Sequence, residues 1–187
     1  MEGVLARAGE LVAGAERSAV RAGPMLQNLA ILGGERTRFH LKAIRPSVGE
    51  AIARFKVLAA EWGVPARIKG GREPGGESDP HLVHALWVIL ENALQAQLRR
   101  PGGAVEVEIT EDSNRLLVRV RDSGPGIDMD AVSGIRGVAW RAESFAGRTG
   151  LGLSASSRII EAYRGRLRGR RVPQGGSEFL VELPLEI

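Results

Sequence analysis

Residues 105–127 read VEVEITEDSNRLLVRVRDSGPGI, and their pattern decides the fold. Val105, Val107 and Ile109 alternate with Glu106, Glu108 and Thr110. Leu116, Val118 and Val120 then alternate with Leu117, Arg119 and Arg121. Period two over both runs predicts strands Val105–Thr110 and Leu116–Arg121, joined by a turn through Asp112-Ser113-Asn114. Directly after the second strand come Asp122-Ser123-Gly124-Pro125-Gly126-Ile127. This is good chemistry for a tight turn at a strand end. It is equally suited to a flat ligand. A carboxylate can accept from an exocyclic amine such as adenine N6, two glycines let the backbone come close to a ring, and Ile127 can pack on it. From these residues alone the two readings weigh evenly.

Upstream, Asp79-Pro80 offers an N-cap followed by a proline in the first turn, and HLVHALWVILENALQAQLRR continues as a helix to about Arg100. Pro101-Gly102-Gly103 ends it, and Leu82, Ala85, Leu86, Ile89 and Ala93 form its buried stripe. Within this apolar helix stand Glu91-Asn92-Ala93. A buried asparagine needs hydrogen-bond partners or a ligand, and its amide oxygen is a hard neutral donor suited to Mg²⁺ beside a polyphosphate. On its own it reads more simply as an ordinary helix amide.

Further toward the N-terminus, residues 1–34 read as helical, with Gly23-Pro24 as a kink. Residues Arg38–Ile44 alternate like a short strand that stops at Pro46. Ser47 and Glu50 make a capping-box pattern opening a helix over about 48–62, with Val48, Ile52, Phe55, Leu58 and Ala59 on its inner face. A brief strand, Val64–Ile68, and a polar glycine-rich loop, Gly70–Ser78, follow.

Downstream, residues 128–149 are weakly patterned, and Gly147-Arg148-Thr149-Gly150-Leu151-Gly152-Leu153 runs into a helix ending near Tyr163. Glycines at a helix N-terminus leave backbone N–H groups for phosphate oxygens, and the helix dipole favours the anion there. Gly150–Ala155 also fits G-x-G-x-x-A, but no apolar strand precedes it, so a dinucleotide fold is excluded on context. Arg166–Val172 and Glu178–Leu185 close the chain as a hairpin. The expected fold is a two-layer α/β sandwich. Helices cover one face of a mixed, mostly antiparallel sheet, and an N-terminal helix precedes it.

Composition narrows the function classes. At 187 residues, 43% hydrophobic and 26% charged, the chain suits one compact domain. It contains no cysteine, which excludes disulfides, thiolate catalysis and zinc-thiolate sites. No apolar run approaches the roughly 20 residues of a membrane span, and MEGVLARAGELVAGAERS lacks the apolar core of a signal peptide. The expectation is a cytoplasmic segment without membrane contact. A net charge of +4 is too small to indicate nucleic acid. Arg164, Arg166, Arg168 and Arg170 alternate along one strand face with no interleaved aromatic, which reads as a solvated face. Glycine is abundant, at 25 of 187. One cluster lies between Gly124 and Gly152, while pairs such as Gly102-Gly103 and Gly175-Gly176 read as punctuation between elements.

Taken together, the three segments resemble the Bergerat ATP-binding fold of histidine kinases, type II topoisomerases and mismatch-repair ATPases. Glu91-Asn92-Ala93 matches the N box, Asp122-x-Gly124-x-Gly126 the first glycine box, and Gly147-x-x-Gly150-x-Gly152 the second, in the family's order and spacing. The block GRTGLGLSASSRIIEAYRGRLRG most resembles sensor histidine kinases. The resemblance covers residues 38–187 and implies roles for individual residues. Asn92 would hold Mg²⁺ against the phosphates of ATP, and Asp122 would receive the adenine amine. Gly124, Gly126 and Ile127 would border the base. Arg148, Thr149, Gly150, Leu151, Gly152 and Leu153 would form the phosphate cradle. Residues 128–149 would be the lid, with Phe145 or Trp140 at its phenylalanine box. No catalytic side chain is evident.

There are departures from the family pattern. Four residues before Asn92, where relatives carry asparagine or a glutamate base, stands Val88, which argues against efficient ATP hydrolysis. Gln95 replaces a frequent lysine. Residues 1–34 resemble the end of a dimerisation helix yet contain no histidine, and His40, His81 and His84 sit where plain structural histidines are common. The resemblance thus implies a catalytic portion that transfers the γ-phosphoryl group of ATP to a histidine on an upstream or partner dimerisation and phosphoacceptor domain. It also implies a homodimer in the full-length protein, a response regulator as further partner, and ADP as product. The alternative is a nucleotide-gated interaction module of the same fold without productive transfer. A serine kinase of the anti-sigma type also shares the fold, but the long leading helix argues against it.

Overall fold

A computed structural model of the chain describes residues 41–71, 75–100, 102–112, 114–126 and 151–185. The alternating runs of residues 105–121 form the centre of the sheet, as β2 (Val105–Glu111) and β3 (Arg115–Arg121). Before them come one 3₁₀ turn (Leu41–Ala43), α1 (Ile44–Glu61), β1 (Ala66–Gly70) and α2 (Pro80–Leu98). After them come α3 (Leu151–Ala162), β4 (Arg166–Arg171) and β5 (Ser177–Pro184). The sheet order is β1-β2-β3-β5-β4. Among the described residues only β1 and β2 pair in parallel, and the other three pairings are antiparallel. The sheet is therefore mixed and mostly antiparallel, as expected. Residues 1–34, the proposed lid and the rest of the predicted strand 38–44 upstream of Leu41 lie outside the described residues.

Alternation explains the layering. Val105, Val107, Ile109, Leu116, Val118, Val120, Phe179, Val181 and Leu183 are buried under the helices. Their neighbours Glu106, Arg119, Glu178 and Glu182 lie on the open face. Burying each large aliphatic or aromatic side chain contributes about 1.5–3 kcal/mol, so this face dominates the stabilisation. Helix α2 is the central helix, packing against α1 on one side and α3 on the other. Its predicted stripe Leu82, Ala85, Leu86, Ile89 and Ala93 is buried throughout. Asp79 caps it as expected, accepting from the N–H groups of His81 at 2.8 Å and Leu82 at 3.3 Å.

Three local expectations are corrected. Residues 41–44 are not strand: the segment turns once as 3₁₀ and enters α1 at Ile44, so Pro46 lies in the first helical turn. The first-turn N–H groups have no intrahelical acceptor, so a proline there loses nothing, and its fixed φ helps start the helix. Consequently Ser47 is inside α1 rather than at its cap. It is buried, and its hydroxyl accepts from the Asp79 N–H at 2.9 Å. Glu50 instead accepts from Ser78 and Arg54. The supposed capping box is a clasp between α1 and the entry to α2. Strand β1 is also displaced, running from Ala66 rather than Val64 and lying mostly exposed at the sheet edge.

The arginine run is divided. Arg164 precedes β4 with φ +58, whereas Arg168 and Arg170 reach across to Glu182 at 3.8 Å and Glu178 at 2.7 Å. With Arg67–Glu106, Arg119–Glu108 and Arg115–Glu182, these pairs lace the open face across neighbouring strands. Such exposed pairs add little to stability, because water screens them and ordering two long side chains costs entropy. Their effect is to keep an uncovered sheet face charged and soluble.

Candidate functional site

Asp122 leaves the end of β3 and is 3% exposed, unusual for a carboxylate. Three backbone interactions fix it. Its N–H donates to the Ser177 carbonyl at 3.0 Å. Its Oδ1 accepts from the Gly124 N–H at 2.8 Å and the Ser177 N–H at 3.3 Å. Burial raises its carboxyl above the ordinary aspartate value, and the Gly124 and Ser177 N–H groups and the Ser177 hydroxyl offset part of that rise.

The loop after Asp122 is pressed between α2 and the β4–β5 turn. A methyl on Gly124 would land 2.7 Å from the Ala96 carbonyl oxygen, one helical turn beyond Asn92. Gly126 has φ +85, and a methyl there would land 3.0 Å from the Gly176 oxygen. The first glycine box thus needs its glycines for close approach to protein backbone.

Asn92 is half-buried on α2 and is hydrogen-bonded or otherwise engaged. Beside it the Gln95 amide donates to Glu91 at 2.7 Å, so these two polar residues satisfy each other. Val88, one turn earlier, is also half-buried. His84, a further turn back, is held below the ordinary histidine value by burial first and by His81 second. Helix α3, which packs on α2, begins at Leu151. Gly152 and Leu153 lie at the beginning of its described part, half-buried. Ile127, Arg148, Thr149 and Gly150 lie outside the described residues, as does the side chain of Leu151. The structure therefore sets Gly124 against α2 at Ala96, one turn from Asn92, holds Asp122 and Gly126 against the β4–β5 turn, and packs α3 on the same helix.

Three contributors escaped sequence reasoning. Ser177 supplies both N–H and hydroxyl to Asp122, and its place after Gly175-Gly176 was the available signal. Gly176, read as mere punctuation, has φ +93 and packs on the Asp122 carbonyl. Gln97, 3% exposed, reaches the backbone of Ser123. Among the described residues no group of three or more histidine, aspartate or glutamate side chains could hold a metal ion. No described helix is long and apolar enough to cross a membrane.

A mixed five-stranded sheet covered on one face by helices is the fold of histidine kinase catalytic domains. It matches a mycobacterial sensor histidine kinase, MprB, with a TM-score of 0.58 at 22% identity, covering 72% of this chain and 92% of that one. It likewise matches the catalytic domain of the histidine kinase ThkA, with a TM-score of 0.58 at 20% identity, covering 76% and 94%. Residues 77–187 match the histidine kinase-, DNA gyrase B- and HSP90-like ATPase family, and the chain belongs to it.

Among full-length relatives, the signal transduction histidine-protein kinase AfsQ2 of Streptomyces coelicolor is 32% identical over 130 residues, which is 68% of this chain and 22% of that protein. The sensor protein TorS of Escherichia coli is 35% identical over 110 residues, 58% of this chain and 12% of that protein. The chain thus spans about a fifth or less of these relatives' length. It carries the ATP-binding catalytic domain of the sensor histidine kinase type.

Proposed function

We propose that this chain is the phosphoryl-donating part of a two-component sensor kinase. In this reading it binds Mg-ATP and passes the γ-phosphoryl group to a histidine on an upstream or partner dimerisation domain. The carrying observation is Asp122: a buried carboxylate with one oxygen already held by two backbone N–H groups, leaving acceptor capacity to recognise one amine. That amine is N6 of adenine, bordered by Gly124, Gly126 and Ile127. Arg148, Thr149 and the N–H groups of Gly150, Leu151, Gly152 and Leu153 hold the phosphates at the start of α3. Residues 38–187 are the catalytic domain, residues 1–34 lead in from a dimerisation helix, and residues 128–149 close over the nucleotide. The whole protein is a homodimer that serves a response regulator on the cytoplasmic side.

Asn92 fits a metal site in which protein supplies few ligands. Mg²⁺ commonly keeps several waters and is completed by substrate phosphates, which suits a lone amide on a helix without a carboxylate cluster among the described residues. Held there by Asn92, Mg²⁺ would supply positive charge against the phosphates of the nucleotide. In the transfer the bond from γ-phosphorus to its bridging oxygen breaks, a phosphorus–nitrogen bond forms, ADP leaves, and the imidazole proton goes to solvent. The chain's part is placement of charge and geometry. With Val88 in place of a polar residue, α2 offers no side chain to activate water there, so phosphoryl transfer to water is disfavoured.

The test is labelling of the full-length protein with γ-labelled ATP. Acid-labile, base-stable phosphohistidine is expected, and Asn92→Ala lowers its rate by about 100-fold without loss of fold. ATP binding without any acid-labile label would instead establish the nucleotide-gated module.

A further inference from the structure

Behind the Asp122 loop lies a buried amide outside both the base and the phosphate sites. Gln97 occupies the last inward-facing turn of α2 and is 3% exposed. Its side-chain nitrogen donates to the Arg100 carbonyl at 2.6 Å, and its side-chain oxygen accepts from the Ser123 N–H at 3.2 Å. Gly103 lies over the same group: a methyl there would land 2.7 Å from Ser123 Cβ and 2.8 Å from Gln97 Nε2. The loop therefore rests on α2 at two points. One is steric, Gly124 on Ala96, and the other is directional, Ser123 on Gln97.

A leucine of similar size would leave the Ser123 N–H and the Arg100 carbonyl without this partner. A buried amide is tolerated only with both halves paired, and in return it fixes distance and angle. Here the fixed angle belongs to Ser123, the residue between Asp122 and the Gly124 N–H that holds Asp122 Oδ1. Release of the Ser123 N–H would free the loop to carry the Gly124 N–H away from the carboxylate.

We propose that Gln97 is the positioning residue of the base site. It ties the Ser123 N–H to α2, aims the Asp122 carboxylate, and so sets discrimination for the exocyclic amine without touching nucleotide. The proposal rests on the reading of Asp122 as the acceptor of the adenine amine.

The experiment compares ATP with purine riboside triphosphate, which has hydrogen in place of that amine. Both are titrated calorimetrically into the full chain as wild type, Gln97→Met and Gln97→Glu. Wild type is expected to prefer ATP by about tenfold or more. Gln97→Met keeps the volume but loses both bonds, so ATP weakens by about tenfold, the analogue is unchanged, and the preference collapses. Gln97→Glu keeps an acceptor for Ser123 but loses the donor to the Arg100 carbonyl, so it retains more of the preference than Gln97→Met and less than wild type.

Hydrogen exchange at the Ser123 amide follows the same order, slowest in wild type, intermediate in Gln97→Glu and fastest in Gln97→Met. An unaltered preference in Gln97→Met overturns the proposal, and so does a fast-exchanging Ser123 amide in wild type, which is readable even if Gln97→Met does not fold. A wild type with no preference for ATP overturns the Asp122 reading itself.

Discussion

Replacing Asp122 by asparagine is expected to weaken ATP binding by about 100-fold while leaving the melting temperature at or above that of wild type. The two effects have one cause. Asparagine keeps an oxygen for the Gly124 and Ser177 N–H groups, so the backbone geometry survives. Its amide nitrogen, however, is a donor where the adenine amine also donates. The charge-assisted bond is lost, and two donors face each other in a dry site.

Stability moves the other way because the Asp122 carboxyl is raised in the folded protein. Between the unfolded and folded values the native state binds the extra proton, so stability falls as pH rises through that window. Above it the buried carboxylate is a standing cost, which asparagine removes. Nucleotide affinity has the opposite pH dependence. It requires the carboxylate and declines on acidification through a midpoint above the ordinary aspartate value of about 3.9. Calorimetric titration and thermal melts of the two proteins decide this. An Asp122→Asn variant that binds ATP as wild type does, or that loses binding only because it has lost stability, contradicts the assignment.

The second large effect is expected at Gly176. With φ +93, an alanine there is strained by about 1–3 kcal/mol before any contact is counted. Its methyl would also sit inside the contact distance of the Asp122 oxygen, 2.7 Å from the Asp122 carbonyl carbon and 2.9 Å from Ser123 Cα. Those atoms are backbone and cannot swing aside, so overpacking adds a further 1–3 kcal/mol or so. The sum corresponds to a fall in melting temperature on the order of 10 °C for a domain of this size.

Gly176→Ala should lose ATP binding too, since the displaced atoms are those that hold Asp122. Gly175→Ala is the matched control. It shares the positive φ, at +99, but its methyl would crowd the tip of the Arg100 side chain, which can move, and would touch the Gly124 carbonyl oxygen only at an ordinary 4.0 Å. It should cost the backbone strain and leave ATP affinity near wild type. Equal losses of affinity in the two variants would contradict the packing of the β4–β5 turn on the Asp122 loop.

Most of the fold is legible because its signals are local. Alternation in 105–121, the Asp79-Pro80 cap and the stripe of α2 each lie within one element and appear where expected. The errors come from signals that point across the chain. Ser47 and Glu50 match a capping box in sequence, but their partners are Asp79 and Ser78, about thirty positions away. Pro46 ends a strand and begins a helix with the same chemistry, and the burial of Ala43 and Ile44 selects the helix.

The site divides likewise. Asn92, Asp122, Gly124 and Gly126 are proposed from a spaced motif. Ser177, Gly176 and Gln97 act on Asp122 and Ser123 from 26 to 55 positions away, with no pattern in their own neighbourhoods to mark them. What they contribute is the placement of one carboxylate, which only the closed sheet makes visible.

That Asp122 and its backbone clasp read the base of a bound nucleotide is checked by titrating Mg-ATP into the full chain. Heat is recorded together with the backbone amide resonances of Gly124 and Ser177. The expected result is saturable one-to-one binding, with both resonances shifting along the same isotherm. Absence of heat, or heat with those two resonances unmoved, would contradict it.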